Sequence, residues 1–204
     1  MKKLSYVGIL FCIVYFSSSC DYNKRENYQG QTKEPLSNEQ TTANDESKKE
    51  QVSTFLTKAA NSNLAEIHLG KLATDKATSK EVKDFAINMV EEHTKTLEDL
   101  KKLAEKNNVV LPTTMTDKDQ EMINELSKEI GYEFDKKFMN KMVEANKDEV
   151  GMFENALKDI ENADIKDYAS NTLPTLKNQL MTAQQNEELV QNRKEQIKKK
   201  EKSM

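Results

Sequence analysis

Apolar residues recur on helical faces along most of the chain beyond residue 50. Phe55, Ala59, Ala60, Leu64, Ile67 and Leu72 follow the period of one helix face and predict a first helix over residues 52–76. The pattern restarts after Thr78, which with Glu81 three residues on makes a candidate capping box. Val82, Phe85, Ala86, Met89, Val90, Leu97, Leu100, Leu103 and Ala104 then form one stripe, ended by Asn107 and Asn108. A loop over residues 109–116 holds Pro112, and a short helix is expected over 117–130 with Met122, Ile123 and Leu126, broken by Gly131. A third long helix over 135–160 carries Phe138, Met139, Met142, Val143, Val150, Phe153, Ala156, Leu157 and Ile160. A fourth starts near Asp164 with Ile165, Tyr168, Ala169, Leu173, Leu176, Leu180 and Ala183, and Pro174 inside it is expected to kink or break it. Four long helices with mostly short connections predict an all-α, antiparallel four-helix bundle. The short helix lies in the crossover between the second and third.

The pattern before residue 50 is different. Lys2 and Lys3 precede an apolar run over residues 4–16, then Ser17, Ser18, Ser19 and Cys20. A basic start, an apolar stretch and small residues are the architecture of a secretory signal. The run is too short for a bilayer span, which takes about 20 residues. The small residues before Cys20 resemble a bacterial lipoprotein cleavage box, with Ser17 where the usual box has Leu. Cleavage there makes Cys20 the new N-terminus and the lipid-bearing residue; two or more acyl chains anchor stably where one does not. The alternative is plain cleavage that leaves a free thiol. Residues 21–50 are polar, without apolar period, and read as a disordered tether with an r.m.s. span of about 30 Å. The expected organisation is a signal peptide over 1–19, lipidated Cys20 and tether over 20–50, the bundle over 51–192, and a basic helix end or tail over 193–204.

Composition supports this division. The chain has 204 residues, with 5 Gly, 3 Pro and no Trp, a profile that favours helices over a sandwich or barrel. The formal charge of −4, more acidic once Lys2 and Lys3 are removed, lacks the basic footprint of a nucleic-acid binder. Cys12 lies in the signal, so the mature chain keeps one cysteine and no internal disulfide. The methionines fall mostly at core spacing, and the cations after residue 192 complement a helix C-terminus.

Candidate chemistry is sparse. His68 falls at the edge of the first stripe and reads as a boundary residue. His93 lies four residues after Met89 and four before Leu97, on the apolar stripe itself. Glu66, beside Ile67, reads as half-exposed; paired with His93 it would make a polar spot in the core, and a buried carboxylate needs such a partner. Glu66 and His93 are therefore the candidate metal ligands. A di-iron bundle needs two Glu-x-x-His pairs, but Val90 and Ala65 stand where those glutamates belong. There is no zinc-type Cys/His set, phosphate-binding glycine loop or G-x-S-x-G, and no catalytic residue or cofactor is assigned.

Phe55…Ala59-Ala60…Leu64-Ala65-Glu66-Ile67…Gly70-Lys71-Leu72-Ala73, then Val82-Lys83-Asp84-Phe85-Ala86…Met89-Val90-Glu91-Glu92-His93, Phe134-Asp135…Met142-Val143 and Leu173-Pro174-Thr175-Leu176 together resemble a bacterial envelope family. It is described as a ferritin-like domain of unknown function, often labelled outer membrane protein. The resemblance covers about residues 54–190. It implies a ferritin-like bundle, an envelope location and histidines at three positions, here His93, Asn146 and Gln179; Asn and Gln are poor ligands for a transition metal. The expectation is a non-enzymatic, lipid-anchored envelope protein, held to the outer membrane and facing the periplasm or cell surface. Its bundle would serve interaction with an envelope protein or polymer, or stress protection. The alternative is a metal- or small-molecule-binding bundle with a degenerate site around Glu66 and His93.

Overall fold

A computed structural model describes residues 38–203; Cys20, the signal and the tether as far as residue 37 lie outside them. The described residues form five helices and no strand: α1 Asn38–Lys76, α2 Lys80–Lys106, α3 Asp117–Leu126, α4 Gly131–Asp159 and α5 Ala163–Ser203. None is long and apolar enough to cross a membrane. α1 packs chiefly along α2 and α4 along α5, while α1 meets α4 and α2 meets α5 across the bundle. Phe138 and Phe153 are fully buried, as their places on the third predicted stripe require, and so is Phe134, which lies before that stripe.

The ends of the bundle are tied by polar side chains. Asp135, buried near the start of α4, accepts hydrogen bonds from Thr78 N at 3.0 Å, Thr78 Oγ1 at 2.8 Å and Ser79 N at 2.8 Å. The expected capping box at Thr78 does not form. Ser79 is the N-cap of α2 and its hydroxyl donates to Glu81 at 2.6 Å, while a carboxylate from α4 serves the preceding turn. At the far end, Asn162 Nδ2 donates to Asn107 Oδ1 at 2.9 Å, and Asn108 adopts φ 56°, the left-handed turn that stops α2 where expected.

Three boundaries and the behaviour at Pro174 differ from the pattern. α1 begins at Asn38, so the last part of the expected tether, residues 38–50, is helical. Its residues from 44 to 51 are mostly exposed, and Lys48 pairs with Glu161 at 2.9 Å; an exposed helical turn has no apolar period to betray it. α3 stops at Leu126, and Gly131, at φ 58°, swings the chain into α4 before Asp135. α5 runs unbroken through Pro174. Proline removes the bond to the carbonyl four residues back, here that of Ser170, and both residues are exposed, so water can serve the freed carbonyl. The basic segment after residue 192 continues the same helix, with Arg193 paired to Glu81 at 2.9 Å.

One close approach sets the α1–α2 spacing. A Cβ on Gly70 would lie 2.5 Å from Val90 Cγ2, 2.9 Å from Met89 Cε and 3.1 Å from the Ala86 carbonyl oxygen.

Candidate metal centre

The apolar core is divided in two. One cluster gathers Leu69, Met89, Phe138, Met142 and Ala183 with their neighbours; the other gathers Ala59, Leu100, Phe153 and Leu176 with theirs. Between them on each long helix fall the polar residues Asn63 and Glu66 of α1, His93 of α2, Asn146 and Glu149 of α4, and Gln179 of α5. Each is at most 8% exposed. Burying ionisable groups costs several kcal/mol per ion unless they are paired, so a polar layer at mid-core calls for a chemical reason.

The geometry supplies one. His93 Nε2 lies 2.9 Å from Glu66 Oε2, yet neither atom completes an aligned hydrogen bond. Both oxygens of Glu149 are buried without a partner. One donor atom from each of Glu66, His93 and Glu149 lies within 4.8 Å of the other two. Among the described residues, every buried side-chain polar atom lacking a partner belongs to this layer except the Tyr168 hydroxyl: Glu66 Oε2, His93 Nε2, both Glu149 oxygens, Asn146 Oδ1 and Gln179 Oε1. Buried polar atoms are normally satisfied; these converge on one another in a single layer.

Asn63 sets the direction of His93. Its Nδ2 donates to the Ala59 carbonyl at 2.7 Å, which turns Oδ1 toward His93 Nδ1, 3.2 Å away. An acceptor there holds the proton on Nδ1 and leaves Nε2 as the ring's lone pair, the arrangement by which metal-binding histidines are oriented. Asn146 repeats the device: its Nδ2 donates to the Met142 carbonyl at 2.8 Å, leaving Oδ1 free. α1 and α4 thus share an Asn-x-x-Glu spacing. Gln179 Nε2 donates to Glu92 Oε2.

Without a cation the layer holds protons. Burial alone would lower the His93 pKa, but the charge of Glu66 and close contact with it, with Glu149 and Glu92 adding, hold it up at about 9. Burial raises the Glu149 carboxyl to about 8, reinforced by the Glu66 charge and opposed by His93. Burial and then the Glu149 charge also raise the Tyr168 phenol.

The structure brings together Glu66 and His93, as the paired reading required. It buries Glu66, against the half-exposed reading, because Glu66 faces inward between the two apolar clusters. Asn146 and Gln179 fall in the same layer. His68 is exposed and takes no part. Glu149 and Asn63 escaped the sequence reading. The signal was the gap in the third stripe between Val143 and Val150, filled by Asn146 and Glu149 at core spacing.

Fold and site together define an all-α helical bundle built around a buried carboxylate–imidazole centre. The chain belongs to the family of the domain of unknown function (DUF4142), matched over residues 37–185. No curated protein matches it significantly. Its fold resembles a DUF305 fragment from Deinococcus radiodurans (TM-score 0.58, 11% identity, covering 66% of this chain and 93% of that one). It also resembles CopM in the Cu(I)-bound form (TM-score 0.55, 16% identity, covering 65% of this chain and 92% of that one).

Proposed function

We propose that this chain is a lipid-anchored envelope protein whose ferritin-like, antiparallel four-helix bundle binds one divalent first-row metal ion between Glu66, His93 and Glu149. The observation that carries the reading is the convergence of three buried residues, Glu66 and His93 in contact at 2.9 Å and Glu149 with both oxygens unpartnered, whose donor atoms lie within 4.8 Å of one another. Zn–O and Zn–N bonds are about 2.0–2.2 Å, so ligands around one ion stand about 3–4 Å apart, a small closure from the present spacing. Two carboxylates and a neutral imidazole carry the charge that balances a divalent cation.

Oxygen and imidazole donors suit zinc, iron(II), cobalt(II) or manganese(II) better than a soft monovalent ion. The fold shared with a Cu(I)-bound bundle supports the general reading, that such a bundle houses a metal, rather than the same metal. An interaction module with no ligand accounts for a helical bundle but not for the polar layer through its core. Absence of any Glu-x-x-His pair argues against a ferritin-type di-iron oxidase, and no enzymatic role is proposed.

Metal analysis of the purified chain tests the reading. One equivalent of a divalent ion is expected, lost in His93→Ala and Glu149→Gln; a wild-type protein that takes up none of zinc, cobalt or manganese refutes it. The anchor is a separate proposal, supported by the residues before Cys20. Mass spectrometry of native material should find acyl chains on Cys20, and an unmodified N-terminus at Met1 would refute it.

A further inference from the structure

Three protein donors do not complete the shell of a divalent transition metal, which takes four ligands or more. Structural sites fill every position from the chain, whereas open sites leave one for a ligand from solvent. What lies against the centre decides between these. A groove of about 1140 Å³ runs between α1 and α4, and Phe55, Lys58 and Ser62 line one wall while Lys147, Glu149 and Gly151 line the other. Of the three donor residues only Glu149 lines it, and both Glu149 oxygens lack partners. Glu149 thus belongs both to the buried centre, where its carboxylate oxygens are out of contact with solvent, and to the lining of the groove. On the α1–α2 side, by contrast, the backbone approach at Gly70 leaves no room even for a methyl group.

We propose that the α1–α4 groove gives small donor molecules from solvent access to the metal, so that the bound ion keeps one exchangeable coordination position beside Glu149. This rests on the metal reading above and extends it from a closed structural site to an open one. The ligand class is a small monodentate anion or neutral donor, because the centre itself is buried and only the groove is roomy. Gly151, on the groove lining, offers the means of closing it: a Cβ there has no atom within 4 Å, so an added side chain starts in open space. Ser62 stands on the opposite wall, one helical turn before Glu66.

The test uses the full chain loaded with Co²⁺, whose visible d–d bands report its coordination, and azide as the solvent ligand. In wild type, azide should shift the Co²⁺ bands. In Gly151→Trp and Ser62→Phe, the Co²⁺ titration at equilibrium should be unchanged while the azide-induced shift slows about tenfold or more, as when association must await a conformational change. Gly151→Trp, which adds its side chain to open space, keeps the test available if Ser62→Phe fails to fold. Co²⁺ that binds but ignores azide would overturn the open site and leave the metal reading standing. Azide that acts equally fast on both variants would overturn the groove as the route. A wild-type chain that takes up no Co²⁺ would overturn the metal reading itself.

Discussion

Glu149→Gln should stabilise the metal-free protein and abolish metal binding together. A carboxyl whose pKa rises on folding destabilises the fold over a defined pH window. Below its unfolded value near 4.5 it is protonated in both states and costs nothing by linkage. Above that, the unfolded chain releases the proton and the folded chain keeps it, so stability falls with rising pH until the folded value near 8 is passed. At 1.36 kcal/mol per unit the penalty at pH 7 is on the order of 3 kcal/mol. Glutamine has nearly the same shape and does not titrate. Its amide inherits the unpartnered surroundings, so part of the gain is lost and about 1–3 kcal/mol should remain. In a chain of this size that raises Tm by about 2–4 °C per kcal/mol. Urea titrations of chelator-treated wild type and Glu149→Gln, at pH 8 and near pH 4, measure it: the variant should lead at the higher pH and lose its lead at the lower. Equal or lower stability of the variant at pH 8 would refute the buried, strained carboxyl.

Metal uptake should expel protons: with His93 held near pKa 9 and Glu149 near 8, about two protons should leave per ion bound at pH 7. Binding should therefore weaken as pH falls, and calorimetry in buffers of different ionisation enthalpy counts the protons. Asp135→Ala should cost about 3 kcal/mol, because the buried Ser79 N–H and the Thr78 donors lose an ionised acceptor; urea denaturation monitored by helical circular dichroism checks it. Gly70→Ala should destabilise by about 1–3 kcal/mol through overpacking against Val90 and the Ala86 carbonyl. Gly151→Ala, in open space within a helix, should stabilise by about 0.5–1 kcal/mol, so the two substitutions should move the urea midpoint in opposite directions.

The helices were legible wherever one face is apolar and the other is not. Val82 through Ala104 announces α2, and Asn107 with Asn108 announces its end. The extension of α1 back to Asn38 was not legible, because exposed turns carry no period. The break allowed for at Pro174 does not occur, because its cost depends on what the freed carbonyl faces, and exposure is invisible in a single sequence. The centre was half legible. His93 stood out as a polar residue at an apolar position, and Glu66 as its possible partner. Glu149 did not, since a glutamate among Asn146, Lys147 and Asp148 looks like any solvated turn until the helix is phased against Met142 and Phe153.

The placement of that layer carries the strongest physical argument for a ligand. Replacing a buried ionic group by apolar residues of similar volume is often neutral or stabilising, so Leu or Met at 66, 93 and 149 would join the two apolar clusters into a single, sturdier core. The chain instead keeps three titratable groups there, with two asparagines whose amides are anchored to backbone carbonyls so that their oxygens face inward. Protons on His93 and Glu149 leave the metal-free cluster close to neutral; a divalent ion in their place does the same and satisfies the lone pairs as well. An ion at a hundred times its dissociation constant stabilises the folded state by about 2.7 kcal/mol, comparable to the penalty assigned to Glu149. The metal-loaded wild type should thus match the stability that Glu149→Gln gains without metal. A wild type indifferent to saturating ion would separate the layer from any role in binding.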